Sequence, residues 1–392
     1  MTRKCPGGVQ NLAWTCARGG VIITPPLISF PGVRGLPEVL LKPIRLGGGV
    51  TIERPLALAP MAGVTNWPFR RLCKEQGCGL VVTEFVSDKA LLYDSPRTRE
   101  MILLLDDERP AGVQLFGAEP ETMARAAVRV VELVRPDLID INMGCPAPKV
   151  TRGRGGSSLL KEPELAQEIV RQVVRAVAPV PVTVKMRIGW DAASINAVEV
   201  ARRVEEAGAQ MITVHGRTRQ QHYSGRADWD VIAAVARAVS IPVLGNGDIT
   251  DPRIAAERLR TAGVAGLAIG RGALGNPWIF SRTLHYLETG ELLPEANARQ
   301  RVEMALRHLD LMIAYKGEFL AVREMRKHAA WYLKGLYGAA EARANINRAE
   351  RAEEMRSLLL GFLERLERSG RTEVDPEAVA AVDEESPTSC GA

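Results

Sequence analysis

Short apolar runs alternate with amphipathic stretches between about residues 55 and 290. The intervening stretches 119–134 and 162–177 place apolar residues three and four apart and begin with Glu-Pro, which is typical of helices. Runs that are apolar along their length indicate strands covered on both faces, and such strands form parallel sheets. The pattern therefore predicts eight strand–helix units. Their strands are PLALAP, GLVVTEF, AGVQLFG, LIDINMG, VPVTVKM, AQMITVHG, IPVLGNGD and AGLAIGR.

Eight such units in about 235 residues predict an α/β fold, a (β/α)8 TIM barrel. A doubly wound open sheet is the structural alternative. Polar residues stand at nearly every strand end, and a barrel collects all those ends at one mouth. We therefore favour the barrel, within a domain spanning residues 39–295.

The sequence pattern changes at about residue 296, after which no strand-like runs occur. Residues 296–370 contain three helical stretches and predict a small C-terminal all-helical domain. Between Arg299 and Arg351, 11 Lys and Arg stand against 6 Asp and Glu, a net charge of +5. Residues 1–38 are rich in Gly and Pro and predict a poorly ordered extension, and residues 371–392 predict an acidic disordered tail.

Composition narrows the class of protein. The chain of 392 residues is 46% hydrophobic and 25% charged, as in globular proteins, and no apolar run approaches the length of a membrane span. The N-terminus lacks the apolar core of a secretory signal, so we expect a cytoplasmic protein without membrane attachment. Six cysteines are spread along the chain and indicate reduced thiols. Cys73 and Cys78 have no matching second pair, so we predict no metal site.

Candidate chemistry lies where the predicted strands end, because a barrel forms its active site there. Each such residue also has an ordinary explanation alone: a lysine can extend to water, and a cysteine can fill the core. Their recurrence at one end of successive strands favours a shared site. The residues are Pro60, Met61, Ala62, Glu84, Gln114, Asn142, Cys145, Lys185, Arg187, His215, Arg217, Asn246, Gly247, Asp248, Gly270 and Arg271.

The loops after the seventh and eighth strands suggest a phosphate site. They read GNGDIT and GRGALGNP, and glycine-rich loops at this place in a barrel bring backbone N–H groups close to an anion. Arg271 adds positive charge. Lys185 and Gln114, from other strands, would reach the polar edge of a ring held by such a phosphate. Flavin mononucleotide (FMN) satisfies these demands.

Six motifs in order resemble the tRNA-dihydrouridine synthases, most closely the bacterial B subgroup. They are LAPMAGVTNWPFR, DINMGCPAPKV, VTVKMRIGW, TVHGRTR, GNGDITDP and IGRGALGNPWIF, and the resemblance runs from about Thr51 to about Leu363. It implies an FMN-binding barrel followed by a helical tRNA-binding domain. It also implies reduction of the C5–C6 double bond of selected tRNA uridines, with NADPH as reductant.

The resemblance also implies residue roles. Pro60, Met61 and Ala62 would line the flavin, and Gln114 and Lys185 would contact its isoalloxazine with His215 nearby. Asn246, Gly247 and Asp248, with Gly270 and Arg271, would hold the ribityl phosphate end. Cys145 matches the family's catalytic cysteine. Asn142, Arg187 and Arg217 would contact the target uracil.

A thiol suits the implied reaction. Hydride delivery to C6 of uracil leaves C5 to be protonated from the other side of the base, and a thiol is a slim proton donor with a reference pKa of about 8.5. We therefore predict that Cys145 is the general acid. Gly144 is expected to clear space beside it, and Pro146 to stiffen the turn.

A stacked uridine must be turned out of the tRNA to reach a barrel mouth, which requires grip on the RNA. The helical domain offers Arg326 and Lys327, together with Arg323, His328, Trp331, Tyr332 and Lys334. The ordinary alternative is a solvated basic helix with Trp331 in the core.

Two competing functions stay open on the sequence. One is an FMN barrel that reduces a small molecule, similar to dihydroorotate dehydrogenase. The other is an RNA-binding protein that has kept the barrel without turnover. We expect a monomer without a stable protein partner, and the sequence does not predict which uridine is modified.

Overall fold

The computed structural model describes residues 40–93 and 95–374. The predicted extension of residues 1–38 and most of the predicted acidic tail therefore lie outside the described residues. The first residues of that tail pack against the helical region. The Thr372 carbonyl accepts a hydrogen bond from Ala298 N at 2.9 Å, and Val374 lies against the helical core.

The described chain contains eleven strands and fourteen α-helices. The strands are β1 Ile44–Arg45, β2 Thr51–Ile52, β3 Leu56–Leu58, β4 Leu80–Val82, β5 Val86–Ser87, β6 Ala111–Phe116, β7 Leu138–Met143, β8 Val182–Arg187, β9 Met211–His215, β10 Val243–Asn246 and β11 Gly266–Ile269. The helices are α1 Trp67–Glu75, α2 Asp88–Leu92, α3 Pro96–Met101, α4 Pro120–Val134, α5 Pro148–Thr151, α6 Pro163–Val177, α7 Ala197–Glu206, α8 Trp229–Ala238, α9 Pro252–Ala262, α10 Ile279–Thr289, α11 Ala298–Lys316, α12 Glu318–Tyr332, α13 Ala339–Ile346 and α14 Ala352–Ser369.

Eight parallel strands close into a barrel. Along the sheet the order is β4, β3, β11, β10, β9, β8, β7, β6, and the pairing of β4 with β6 completes the ring. The predicted (β/α)8 barrel is confirmed, and the open-sheet alternative is wrong. The predicted second strand ends at Val82, where the Thr83 hydroxyl accepts from Gln114 N at 3.2 Å, and β5 then pairs with β6.

A small hairpin covers one end of the barrel. Strands β1 and β2 pair antiparallel, and Ile44 and Ile52 are buried in a cluster with residues from the amino-terminal ends of the barrel strands, including Leu80, Leu138 and Met211. The Gly47 N–H donates to Gln210 Oε1 at 2.5 Å, which joins the hairpin to the segment before β9. The polar strand ends therefore lie at the opposite mouth.

The predicted C-terminal helical region is present as α11 to α14. These helices share a second core in which Met312, Met325 and Phe362 are buried. Leu72 from α1 of the barrel belongs to the same core, so the helical region packs directly on the first barrel helix.

Two buried histidines lie where α1 meets this region. The His308 and His328 rings are 4.5 Å apart, and Phe69 lies 5.8 Å from each. The Tyr332 hydroxyl lies 3.3 Å from His308 Nδ1. Burial lowers the pKa of His308 to about 3, so its ring stays neutral in the folded protein.

Acid should weaken the fold through His308. Unfolding exposes the ring and restores a pKa of about 6.5. Below that pH the unfolded state therefore binds a proton at His308 that the native state does not bind. The contribution of the neutral His308 ring to stability is fully present above about pH 6.5 and is lost as pH falls toward 3. Between pH 7 and pH 5 this loss is about 2 kcal/mol. Urea unfolding of His308→Gln at both pH values should show this part of the acid loss removed. Phe69→Leu, which loosens the same cluster without removing a titrating group, should keep the wild-type loss.

Candidate active site

Polar side chains repeat at alternate positions near the carboxyl ends of neighbouring strands. Asp140 and Asn142 do so on β7, and Thr183, Lys185 and Arg187 on β8. Alternate residues of a strand share one face, and Asn142 is in register with Lys185. These side chains, with Gln114, Thr213 and His215 of the adjacent strands, form a polar layer at the barrel mouth.

Cys145 follows β7 on a loop that is held through its backbone. The Asn142 Oδ1 accepts from Gly144 N at 3.1 Å and from Cys145 N at 2.9 Å. On the other side, the Ser157 hydroxyl donates to the Cys145 carbonyl at 2.9 Å. The side chain is half-buried and forms no disulfide. Asn142 and Ser157 therefore fix the backbone of residue 145 and do not bond to its sulfur.

Gly156 explains how Ser157 reaches this loop. Its φ of +59° lies in the left-handed region, and a Cβ there would come within 2.9 Å of the Cys145 carbonyl oxygen. Gly144, in contrast, leaves space for a Cβ, whose nearest neighbours would lie 3.5 Å away. No protein atom therefore requires glycine at residue 144, and the expectation that Gly144 clears space stays a prediction.

Asn142 is itself oriented by two side chains beneath the mouth. Its Nδ2 donates to Gln114 Oε1 at 2.7 Å, and the Gln114 Nε2 donates to Asp140 Oδ2 at 2.6 Å. The Thr183 hydroxyl donates to the other Asp140 oxygen at 2.6 Å. All four residues are buried. The predicted flavin contact of Gln114 and uracil contact of Asn142 stay predictions, and each amide keeps one N–H for them.

Lys185 is a half-buried cation of this layer. Its Nζ lies 3.3 Å from Asn246 Oδ1, whose own amide nitrogen donates to the Ala268 carbonyl at 2.6 Å. Burial first and the Arg187 charge second lower the pKa of Lys185 to about 8, against the opposing effect of Asp140 and Cys145. A narrow cavity of about 10 Å³ inside the barrel is lined by Lys185, Pro60, Thr213 and Asp140, among others.

Arg187 has a role that the sequence did not suggest. It is 2% exposed and donates to the carbonyls of Gly144 at 2.9 Å and of Thr218 and His222 at 2.7 Å each. It therefore ties the Cys145 loop to the loop after β9. Its predicted contact with uracil stays a prediction.

His215 stands at the end of β9 beside these cations. Burial, then the charges of Arg187 and Lys185, hold its pKa well below the usual range, so the imidazole is neutral. A neutral imidazole can donate or accept a hydrogen bond and adds no positive charge to the mouth.

The loops after β9, β10 and β11 form a cationic corner that fits an anion. Asp248, at φ +54° after Gly247 at φ +129°, accepts from Arg217 Nη2 at 2.9 Å and from Arg271 Nη2 at 3.1 Å. Arg217 is 2% exposed, and its Nη1 is buried without a hydrogen-bond partner. A buried unpaired guanidinium nitrogen next to an exposed Arg271 matches the needs of a phosphate. The uracil contact predicted for Arg217 stays a prediction, although its position favours the phosphate side.

The remaining predicted flavin residues also lie at the mouth. Pro60 lines the narrow cavity, Met61 packs against the core, and Ala62 is exposed in the loop after β3. A Cβ on Gly270 would lie 3.7 Å from both Ala59 and Met61. The loops after the first and last barrel strands are therefore adjacent, as the resemblance implies.

The helical region is joined to this mouth by Lys327. Its Nζ donates to the Gly63 carbonyl at 2.5 Å, and the Gly63 N–H donates to Glu84 Oε2 at 2.6 Å. Burial raises the pKa of Glu84, which the Gly63 N–H and the lysine charges oppose. Lys327 thus braces the loop after β3, a role different from the predicted tRNA contact.

Other predicted RNA contacts are also engaged inside the protein. Arg326 donates to the Ala349 carbonyl through Nε at 3.0 Å and Nη2 at 2.7 Å. His328 and Tyr332 are 1% and 0% exposed, so their prediction as surface residues is wrong. Trp331 packs against the barrel core, as the ordinary alternative held. Arg323 is exposed, with its guanidinium 3.5 Å from the Phe319 ring centre.

Four functional candidates were missed by the sequence reasoning: Asp140, Thr183, Gly156 and Ser157. Asp140 and Thr183 had a signal, since a carboxylate and a hydroxyl two positions before Asn142 and Lys185 share their face of the strand. Gly156 and Ser157, 11 and 12 positions after Cys145, had none.

Within residues 40–93 and 95–374, no helix is long and apolar enough to cross a membrane. The same residues contain no group of three or more His, Cys, Asp or Glu that could hold a metal ion.

A closed parallel barrel whose polar groups gather at the carboxyl ends of the strands defines an enzyme-type (β/α)8 barrel. The family model described as "Dihydrouridine synthase (Dus)" matches residues 57–367, and the chain belongs to this family. Family members are flavin-dependent oxidoreductases that act on tRNA, so the predicted enzyme class is confirmed.

Curated relatives support the B subgroup, as predicted. The chain is 47% identical to tRNA-dihydrouridine synthase B of Pseudomonas aeruginosa over 77% of this chain and 91% of the relative. It is 45% identical to the protein of the same name from Pseudomonas putida over 85% and 98%. Among solved structures, the old yellow enzyme from Trypanosoma cruzi aligns with a TM-score of 0.48 and 13% identity over 67% of this chain and 95% of that one. A likeness at that level says nothing about activity.

Proposed function

We propose that this protein reduces the C5–C6 double bond of uridines in tRNA, using FMN and NADPH, with Cys145 as the proton donor. The observation that carries the proposal is the Cys145 loop. A half-buried thiol stands at the barrel mouth, on a loop whose backbone is held on both sides, near cations of the neighbouring strand.

The residues at the mouth fit a flavin. The unpaired Nη1 of Arg217 and the exposed Arg271 suit its phosphate, and Pro60 follows β3 while Lys185 lies near the carboxyl end of β8. When bound, the flavin would supply the hydride that reaches C6 of uracil. Lys185 and the loops after β10 and β11 would hold and orient it.

Cys145 would give its proton to C5 of the uracil and would itself become a thiolate. Lys185 and Arg187 both interact electrostatically with Cys145, and positive charge favours the thiolate that proton donation creates. The free N–H of Asn142 would stabilise negative charge that develops on a uracil carbonyl. Arg187 would hold the Gly144 carbonyl away from the base.

The first test is spectroscopic. Purified protein should be yellow, NADPH should bleach it, and unmodified tRNA should speed its reoxidation under anaerobic conditions. Mass spectrometry should then find dihydrouridine in that tRNA. A small-molecule reductase would bleach equally but show no effect of tRNA, and a silent RNA binder would bind tRNA without forming dihydrouridine. Either result would contradict the proposal.

We also propose that residues 296–370 contribute to tRNA binding. Arg323 lies one helical turn before Lys327, which contacts the barrel mouth, and it forms an exposed arginine–aromatic pair with Phe319. Nucleotide bases stack on such pairs.

Reversal of the charge at this position should weaken tRNA binding. Arg323→Glu should raise the KM for tRNA and reduce the salt dependence of binding by about one counterion, with the NADPH step unchanged. Arg260→Glu makes the same charge change at the last turn of α9, which runs away from the mouth, and should behave as wild type. Equal effects of the two variants would indicate a general charge effect and not a docking surface.

A further inference from the structure

Asp140 is a buried carboxylate that the proposed chemistry does not use. It is 4% exposed and lies in the middle of β7, between the apolar Ile139 and Ile141. Both oxygens are occupied by donors, Gln114 Nε2 and the Thr183 hydroxyl, at 2.6 Å each. A buried carboxylate is costly, so the fold retains it against a desolvation penalty.

The chain of amides above Asp140 can point in only one direction. Both Asp140 oxygens accept hydrogen bonds, so Gln114 must turn its NH2 group toward the carboxyl group. The Gln114 oxygen then faces Asn142, whose NH2 group must donate to it. This leaves the Asn142 oxygen facing the backbone N–H groups of Gly144 and Cys145, the only orientation that these two donors accept.

We propose that Asp140 is a positioning residue for Cys145. Through Gln114 and Asn142, its carboxylate sets the orientation of the loop that carries the thiol. Without an acceptor oxygen at residue 140, Gln114 can reverse its amide, Asn142 can follow, and an NH2 group then opposes the two loop N–H groups. The inference rests on the proposed role of Cys145, and its test separates the two.

The test uses two substitutions that differ in what they leave for Gln114. Asp140→Asn removes the charge but keeps an oxygen that accepts from Gln114, while its NH2 group faces the Thr183 hydroxyl, which can accept. Asp140→Leu removes both acceptors. In FMN-loaded protein, the rate of tRNA-dependent reoxidation should fall about thirtyfold or more in Asp140→Leu and less than about fivefold in Asp140→Asn. Reduction by NADPH and the KM for tRNA should change less than about threefold.

A role for Asp140 in balancing the Lys185 charge predicts a different result. The rate of tRNA-dependent reoxidation would then fall as far in Asp140→Asn as in Asp140→Leu. This result would overturn the proposal, and so would wild-type rates in both variants. If Asp140→Leu does not fold, Asp140→Ala replaces it, because alanine also lacks both acceptor oxygens and needs no additional space. It should show the same loss of the tRNA step.

A double variant tests whether Asp140 acts through the thiol. Added to Cys145→Ala, Asp140→Leu should slow reoxidation by less than about twofold further. A further thirtyfold loss would show that Asp140 acts elsewhere and would overturn the proposal.

The reactivity of the thiol gives a readout that does not need catalysis. In flavin-free protein, iodoacetamide should alkylate Cys145 at a rate that differs at least about threefold between wild type and Asp140→Leu, and Asp140→Asn should match wild type. If Cys145→Ala proved fully active, the proposed function of the thiol would fail, and this measurement would still decide the positioning. Equal alkylation in all three proteins would overturn it.

Discussion

Cys145→Ala should slow the tRNA-dependent reoxidation of the flavin by about a hundredfold or more, the range typical for loss of a general acid. Flavin content and bleaching by NADPH should stay at wild-type levels. The reason is structural: Asn142 and Ser157 hold this loop through the N–H and carbonyl of residue 145, and alanine retains both groups. The measurement is stopped-flow reoxidation by unmodified tRNA, with dihydrouridine counted by mass spectrometry.

Cys145→Ser is the matched control, because it keeps the size of the side chain and replaces the thiol by a far weaker acid. It should retain the fold and the NADPH step and lose most of the tRNA step. A Cys145→Ala protein that forms dihydrouridine at the wild-type rate would rule out the thiol as proton donor.

Arg70→Met should lower the free energy of unfolding by about 3–5 kcal/mol, as expected when one partner of a buried ion pair is removed. Arg70 and Glu108 are both buried, and the guanidinium binds both carboxylate oxygens, at 2.8 and 3.1 Å. The same guanidinium donates to the carbonyls of Thr65 at 2.9 Å and Leu103 at 2.7 Å. Methionine fills the space but leaves the Glu108 carboxylate without its cation. Urea unfolding at neutral pH measures the loss.

The adjacent residue supplies the control. Arg71 is 35% exposed and pairs with Glu75 at 3.4 Å and Asp107 at 3.2 Å, so Arg71→Met should cost about 1 kcal/mol or less. Addition of Glu108→Leu to Arg70→Met should recover part of the lost stability, because no charge is then left unpaired in the core. Equal losses for the two arginine variants would contradict this account.

The barrel could be predicted because its signal is local. Each of the eight apolar runs forms a strand, and the stretches 120–134 and 163–177 are helices within one residue of the expected start. The residues at the strand ends do meet at one mouth, because parallel strands in a closed ring bring their carboxyl ends together.

The roles of individual side chains could not be predicted as well, for a physical reason. Arg187 binds three backbone carbonyls, and a carbonyl is present at every residue, so the sequence contains no trace of its partners. Lys327 bonds to a carbonyl 264 positions away. Asp140 could have been found, since period-two spacing puts it on the same strand face as Asn142.

The hairpin of β1 and β2 has a kinetic consequence. Because it covers the amino-terminal end of the barrel with Ile44 and Ile52, we expect the reductant and the tRNA of the proposed reaction to approach the flavin from the same mouth. Two substrates that reach the flavin through the same mouth bind there one after the other. Initial rates measured against both substrates should therefore give parallel double-reciprocal lines, the signature of an enzyme that releases one product before admitting its second substrate.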